Sequence, residues 1–365
     1  MRLAALVALA ALAAGCPTAS EGPDVALPVL EGLGEGVIVP RYEVFETEMA
    51  EAAAAIAAFC DAPEQGTLDA ARDALGEAHV AWKRSDVIPF GPARDLPWTI
   101  RARLDLWPVR ADNVQELLDS GEPVTPEALN TTLNAAKGLP AIAWLLWSED
   151  DSLAAFTDPD DGARRCEVTA ALADDAAARG AEMVVAWQPD GDGWLSEFVA
   201  PPGPLAEFEN SYEVVAELVN RMIFTVENAR LLKMARPAGL EDGSVPEPDQ
   251  LEARWGGGSL AAIKSNLDGV ADVFHGRWSE ADVPGIITLV GDDRRDQLAS
   301  DFDATFFAGM AALDAIPAPL AVAIVDHPDS VDAAVSALFD LQAVLQADLA
   351  QALGVTVRFN DTDGD

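Results

Sequence analysis

The sequence predicts an all-α protein of two packed helical bundles, with at most one short β-strand near the C-terminus. Three observations carry this. Apolar residues recur at threes and fours over most of the 365 residues, the mark of one buried helix face. Alanine, the best helix former, fills many positions between them. Only residues 355–359, after Gly354, alternate with the period of a strand.

The elements follow in chain order. Tyr42, Phe45, Met49, Ala53 and Ile56 make a first helical stripe that runs to Cys60. Leu68, Ala71, Leu75, Ala78 and Trp82 make a second. Phe90-Gly91-Pro92 and Leu96-Pro97 break the pattern, so 89–97 reads as a loop. Ser120-Gly121-Glu122-Pro123 breaks it again, and Thr125-Pro126 then offers an N-cap with Pro at the first helical position. A further helix is expected over 163–187. Ala200-Pro201-Pro202-Gly203-Pro204 is the strongest linker signal. It divides an N-terminal bundle, 41–200, from a C-terminal bundle, 201–365. Helices are expected there over 205–234, 259–274 with Ser259 as cap, 293–315 and 330–353. Gly256-Gly257-Gly258 reads as a turn, since no strand precedes it.

The chain opens with Arg2, an apolar run from Leu3 to Ala14, then Gly15-Cys16. A basic start, a short apolar core and small residues before the cut are a secretory signal. Cysteine directly after Ala-Gly makes it resemble a bacterial lipobox, which predicts a signal over 1–15 and lipid on Cys16. An ordinary signal with an incidental cysteine is the plainer alternative. The run is shorter than the roughly 20 residues that span a bilayer, and no second apolar stretch of spanning length is expected. Residues 16–40, rich in Gly, Pro and Glu, read as a flexible tether. Pro17 follows the cysteine rather than Asp, which favours the outer membrane, facing the periplasm.

Lipid on Cys16 leaves Cys60 and Cys166, an even number in an oxidising compartment, and predicts a disulfide between them. Two buried free thiols are the alternative. The formal net charge of -39, from 62 acidic against 23 basic residues, argues against nucleic acid and against anionic lipid held by a basic patch. Lysine occurs only at 83, 137, 233 and 264. There is no Gly-x-Ser-x-Gly elbow, P-loop or dinucleotide fingerprint. His79, His275 and His327 lack metal-ligand spacing and read as packing or surface residues. Asp361, Asp363 and Asp365 resemble the start of a calcium loop, but the chain stops before its acidic twelfth position. An exposed acidic tail is the simpler reading.

Three stretches stand apart. Phe90-Gly91-Pro92 leads to Arg101, Arg103, Asp105 and Trp107-Pro108. Lys137-Gly138-Leu139-Pro140 leads to Trp144 and Trp147. Leu353-Gly354-Val355 opens the C-terminal segment. With Trp255 and Ser259-Leu260, in this order, the chain from about residue 41 onward resembles the imelysin-like family.

The resemblance implies two helical bundles exported to the cell envelope. It also implies insulin-cleaving peptidase activity in some members and iron uptake or cation binding in others. The family hallmark is Gly-x-His-x-x-Glu at a helix start, where His and Glu three apart share one face. Here Gly138 is kept, but Pro140 and Ala143 hold the His and Glu positions, and neither can bind a metal or move a proton. The expected function is therefore a non-catalytic, envelope-anchored binding protein for iron, another metal or a small ligand. A divergent metallopeptidase with relocated ligands, or a structural envelope module, are the alternatives. Iron or calcium is the expected metal. The expected site is where the Arg101–Trp107 segment meets the helix start after Gly138. Arg101, Arg103 and Lys137 supply positive charge there, Asp105 a carboxylate, and Trp98, Trp107 and Trp144 a dry wall. A structural role for the Arg–Asp pair is the competing reading.

Overall fold

The computed structural model describes residues 24–93, 99–188 and 193–358. The all-α expectation holds. Helix α1 (Leu27–Leu33) passes through a π-type turn at Gly34–Ile38 into α2 (Val39–Asp61), and α3 (Gln65–Arg84) returns beside it. Short helices α4 (Ile100–Leu104), α5 (Ala111–Asp119) and α6 (Pro126–Thr131) lead to α7 (Gly138–Trp147), α8 (Ser152–Thr157) and the long α9 (Gly162–Trp187). After α10 (Trp194–Val199) come α11 (Ser211–Arg230) and α12 (Ser259–His275). A hairpin of β1 (Arg277–Trp278) and β2 (Ala281–Asp282) precedes α13 (Asp292–Asp314) and α14 (Leu320–Asp326). The last rod is α15 (Pro328–Ala343), a π-type turn, and α16 (Ala350–Leu353).

Helices α2, α3, α7 and α9 pack together; α11, α12, α13 and α15 do the same; α3 and α12 join the two groups. The stripes read from sequence are the buried ones, with Tyr42, Phe45, Met49, Ile56, Leu68, Ala71, Ala78 and Trp82 all buried. Cys60 and Cys166 are joined by a disulfide, Cα to Cα 5.4 Å, which ties the end of α2 to the start of α9. Reducing it should lower the unfolding free energy by about 2 kcal/mol or more, measured by urea unfolding with and without reductant. Mass spectrometry of unreduced protein should find neither thiol alkylatable.

Four expectations need correction. The tether is helical from residue 27 onward. Its glycines look like breakers, but they permit close packing: a Cβ on Gly34 would lie 2.9 Å from Leu195 Cδ1 and Val199 Cγ1 of α10. Leu30, Leu33, Val37 and Ile38 are buried, and Pro28 sits at the helix start, where no hydrogen bond is lost. Second, 355–358 forms no strand; the strands among the described residues are β1 and β2. Third, the expected helix at 205 begins at 211. The Glu197 carboxylate, fully buried, accepts the N–H groups of Leu205, Ala206, Glu207 and Phe208 at 2.8–3.1 Å and holds that segment outside the helix. Fourth, one helical rod, Pro328–Leu353, has the length and composition of a membrane span, with mean hydropathy 1.2. It packs on α11 and α13 through Val331, Ala334, Leu338, Leu341 and Leu345, as a bundle helix does. Cys16, Trp98, Asp361, Asp363 and Asp365 lie outside the described residues.

Candidate functional site

Where α3 meets α12, the core holds a set of buried charges. Lys83 ends the apolar stripe of α3 and is fully buried. Its ammonium contacts the Asp105 carboxylate, lies 2.6 Å from Glu252 Oε1 and 3.6 Å from Asp86 Oδ2. Lys233, just beyond α11, lies 2.7 Å from Glu252 Oε2 and 3.3 Å from Asp86 Oδ2, and donates to Asn266 Oδ1 at 2.6 Å. Arg101 reaches Asp86 Oδ1 at 2.7 Å. Asn266 donates to Asp86 Oδ2 and to the Lys83 carbonyl, and Trp82 Nε1 donates to Asp105 Oδ2 at 3.0 Å. Three cations thus face three carboxylates, so the set is neutral by itself.

Burial alone would raise the carboxyl pKa values. For Glu252 the Lys233 and Lys83 ammoniums outweigh it and hold the group at about 2. For Asp86, Arg101, Lys83 and Lys233 together hold it well below the usual carboxylate range. A carboxyl held low in the fold contributes stability that is present above its unfolded pKa and lost on acidification through the folded value. Stability from Glu252 should therefore fall between about pH 4.5 and pH 2. Acid also relieves the repulsion of a chain at -39, which works in the opposite direction. Melting temperature against pH for the protein and for Glu252→Gln separates the two: the variant starts less stable and loses less over that window.

A second cluster pins α2 and α3 to α12. Arg41, buried in α2, donates to the carbonyls of Arg84 and Gly269 at 3.1 Å and pairs with Asp272 at 2.9 Å. Arg84 pairs with the same carboxylate at 2.7 Å. Burial lowers the Arg41 pKa to about 10, and it stays charged at neutral pH.

The residues expected at the Gly138 helix start are mostly engaged elsewhere. Arg101 and Asp105 do not pair with each other; they belong to the buried charge set. Arg103 bonds Asn130 Oδ1 at 2.9 Å and approaches Asp175 at 3.6 Å. Lys137 is neither on the surface nor in a pocket: its buried ammonium donates to the Leu129 carbonyl at 2.7 Å. Gly138 has φ +75°, and a Cβ there would lie 2.2 Å from the Leu104 carbonyl oxygen. The backbone of α4 therefore packs directly against the helix start.

Two clefts border α7 through Leu139, Pro140 and Ala143. One cleft, about 450 Å³, is bounded by Arg72, Leu75 and His79 of α3, Leu139, Ala143 and Trp147 of α7, and Ala253, Trp255 and Gly256. A second, about 300 Å³, is bounded by Trp107, Pro140, Ala143, Trp144, Leu251, Arg254 and Trp255. Pro140 and Ala143, the two motif substitutions, thus face open space, and Ala143 and Trp255 border both clefts. Of the expected residues, Trp107 and Trp144 do reach this place. His79 Nε2 turns inward, buried and without a hydrogen-bond partner, 4.0 Å from Asp105 Oδ1, which is also unpartnered. Burial and then the Lys83 ammonium lower the His79 pKa, so at neutral pH the ring is neutral and this approach is not an ion pair. Among the described residues no group of three or more His, Cys, Asp or Glu is disposed to hold a metal.

Sequence spacing does not single out Lys83, Asp86, Glu252 and Asn266 as a site, gives Lys233 on the long helix only as a pocket-facing or surface lysine, and gives His79 as a packing or surface residue. One signal was present. A chain that uses lysine four times buries three of them, at 83, 137 and 233, and buried lysines are kept where paired.

Fold and site together define a two-bundle helical protein with an aromatic cleft laid against a neutral ionic core. The chain belongs to the imelysin family, whose model matches residues 38–347. Iron-regulated protein A of Synechococcus elongatus is 23% identical over 293 residues, covering 80% of this chain and 76% of that one. Two crystal structures share the fold, each at 18% identity. A protein of Parabacteroides distasonis, provisionally assigned as an iron-regulated protein A precursor, has a TM-score of 0.76 over 90% of this chain and 95% of its own. An imelysin-like protein of Psychrobacter arcticum has a TM-score of 0.74 over 92% and 97%.

Proposed function

We propose that this chain is a non-catalytic binding protein, anchored to the cell envelope by lipid on Cys16, that takes up iron as a chelate or another small ligand. The observation that carries the reading is the pair of clefts along α7, open at Ala143 and Pro140 where the family motif has its Glu and His. Without those side chains the clefts keep volume and aromatic walls but lack the motif's imidazole and carboxylate, the pair that would share a metal or move a proton there. The buried carboxylates behind the clefts, Asp86, Asp105 and Glu252, are already balanced by Lys83, Lys233 and Arg101. A bare cation would have to displace an ammonium from that set or rest on Asp73 and Glu77 at the cleft mouth, where among the described residues no group of three metal-ligating side chains is disposed to hold it, so the cargo is better accommodated as an organic ligand or a chelated metal. The iron-regulated relative supports the link to iron.

Calorimetric titration with ferric citrate, calcium and free ferric ion tests the reading, beside a cleavage assay on insulin chains. Saturable uptake of ferric citrate at one per chain, without cleavage, is the expected result. Peptide cleavage that a chelator abolishes would overturn it in favour of a metallopeptidase. Incorporation of labelled fatty acid, lost in Cys16→Ser, tests the anchor.

A further inference from the structure

We infer that the clefts along α7 select a flat, hydroxylated aromatic ring, of the catechol type, over an aliphatic diol or an ammonium cation of similar size. The inference rests on the binding reading above and specifies its ligand. The two clefts share Ala143, Ala253 and Trp255, so they form one groove walled by four indoles.

Three of those indoles already carry a cation. The Arg254 guanidinium lies 4.1 Å from the Trp255 ring centre, Arg72 lies 5.2 Å from that of Trp147, and Arg165 lies 5.7 Å from that of Trp144. An aromatic ring attracts cations through its electron-rich faces. A guanidinium over the ring draws on that density, so a second cation is attracted less. An electron-rich π-system stacked on the same indole is attracted more. The groove is therefore a poor cage for an ammonium ion and a good bed for a phenolic ring.

Trp255 Nε1 gives the second argument. It is a buried hydrogen-bond donor with no partner, on the residue that borders both compartments. Leaving such a donor unpaired costs about 1–3 kcal/mol, and a ligand oxygen that accepts from it removes the cost. Asp73 and Glu77 line the outer cleft and are exposed. Their carboxylates accept hydrogen bonds from hydroxyl groups. A catechol offers both groups, an oxygen that can accept from the indole N–H where the Trp255 ring shifts toward the ligand, and hydroxyls to donate at the mouth.

Three probes of similar size decide the matter by calorimetric titration of the full chain: catechol, trans-cyclohexane-1,2-diol and benzyltrimethylammonium. Catechol should bind at least about tenfold tighter than either other probe. Trp255→Phe, which keeps a ring and removes the N–H, should weaken catechol about tenfold without lowering the melting temperature. Equal binding of the diol, or tighter binding of the ammonium, would overturn the inference. So would a Trp255→Phe variant that binds catechol as well as the parent does. Ferric citrate run in parallel with Ala143→Trp, which fills the groove, separates the two levels of the account. Groove-dependent ferric citrate binding without catechol binding rejects the ring and leaves the binding reading standing. Absence of both rejects both.

Discussion

Replacing Lys83 by Met should lower the unfolding free energy by about 3–5 kcal/mol, the cost of removing one partner from a buried ion pair. Met nearly conserves volume, so packing changes little and the loss is electrostatic. Without the ammonium, Asp86, Asp105 and Glu252 face only Lys233 and Arg101, and one negative charge remains unbalanced in the core. Lys83→Met with Asp105→Asn should recover most of the loss, since the set is again neutral. Urea unfolding of the single and double variants measures both. A single-variant cost under about 1 kcal/mol would mean the charges act independently, as exposed pairs do.

Gly138→Ala should cost about 3 kcal/mol or more. Two penalties add. The residue sits at φ +75°, where a side chain is strained by about 1–2 kcal/mol. Its Cβ would also lie 2.2 Å from the Leu104 carbonyl oxygen, so α4 and α7 must separate, an overpacking cost of about 1–3 kcal/mol. The displacement would move Ala143 and Trp147 on the same helix, so ligand affinity should fall with stability. By contrast, Ala at Gly76, whose Cβ would meet nothing within 4 Å, should be neutral or stabilising by about 1 kcal/mol, as in any exposed helix.

Helices were legible because their evidence is local. The stripe of Tyr42, Phe45 and Met49, or of Leu68, Ala71 and Leu75, can be read within one window, and all six side chains are buried. Thr125 caps α6 as its sequence suggests, its hydroxyl accepting from the Ala128 N–H at 3.2 Å. The N-terminal helix was illegible because the reason for Gly32, Gly34 and Gly36 lies far along the chain, in Val283 and α10. The ionic core was illegible for the same reason. Lys83 meets Glu252 across 169 positions and Lys233 meets Asp86 across 147, and no spacing rule connects such pairs.

The candidate site was half legible. The motif segment around Pro140 and Ala143 was located correctly on a helix, and Trp107 and Trp144 do line the clefts. Arg101, Arg103, Asp105 and Lys137 do not line them. Positive charge and a helix start suggested an anion site, but charge counts do not show which cations are consumed by internal carbonyls and carboxylates. Lys137 and Arg103 are consumed in this way. What remains open is the face that α7 turns to Trp255, with Ala143 at its centre.

That face carries the central claim, and filling it is the direct test. Ferric citrate titrated calorimetrically into the native protein and into Ala143→Trp should bind the first at one per chain. It should fail to bind the second, with both proteins melting within a few degrees of each other. Equal binding by Ala143→Trp, at unchanged stoichiometry, would place the ligand elsewhere and contradict the account.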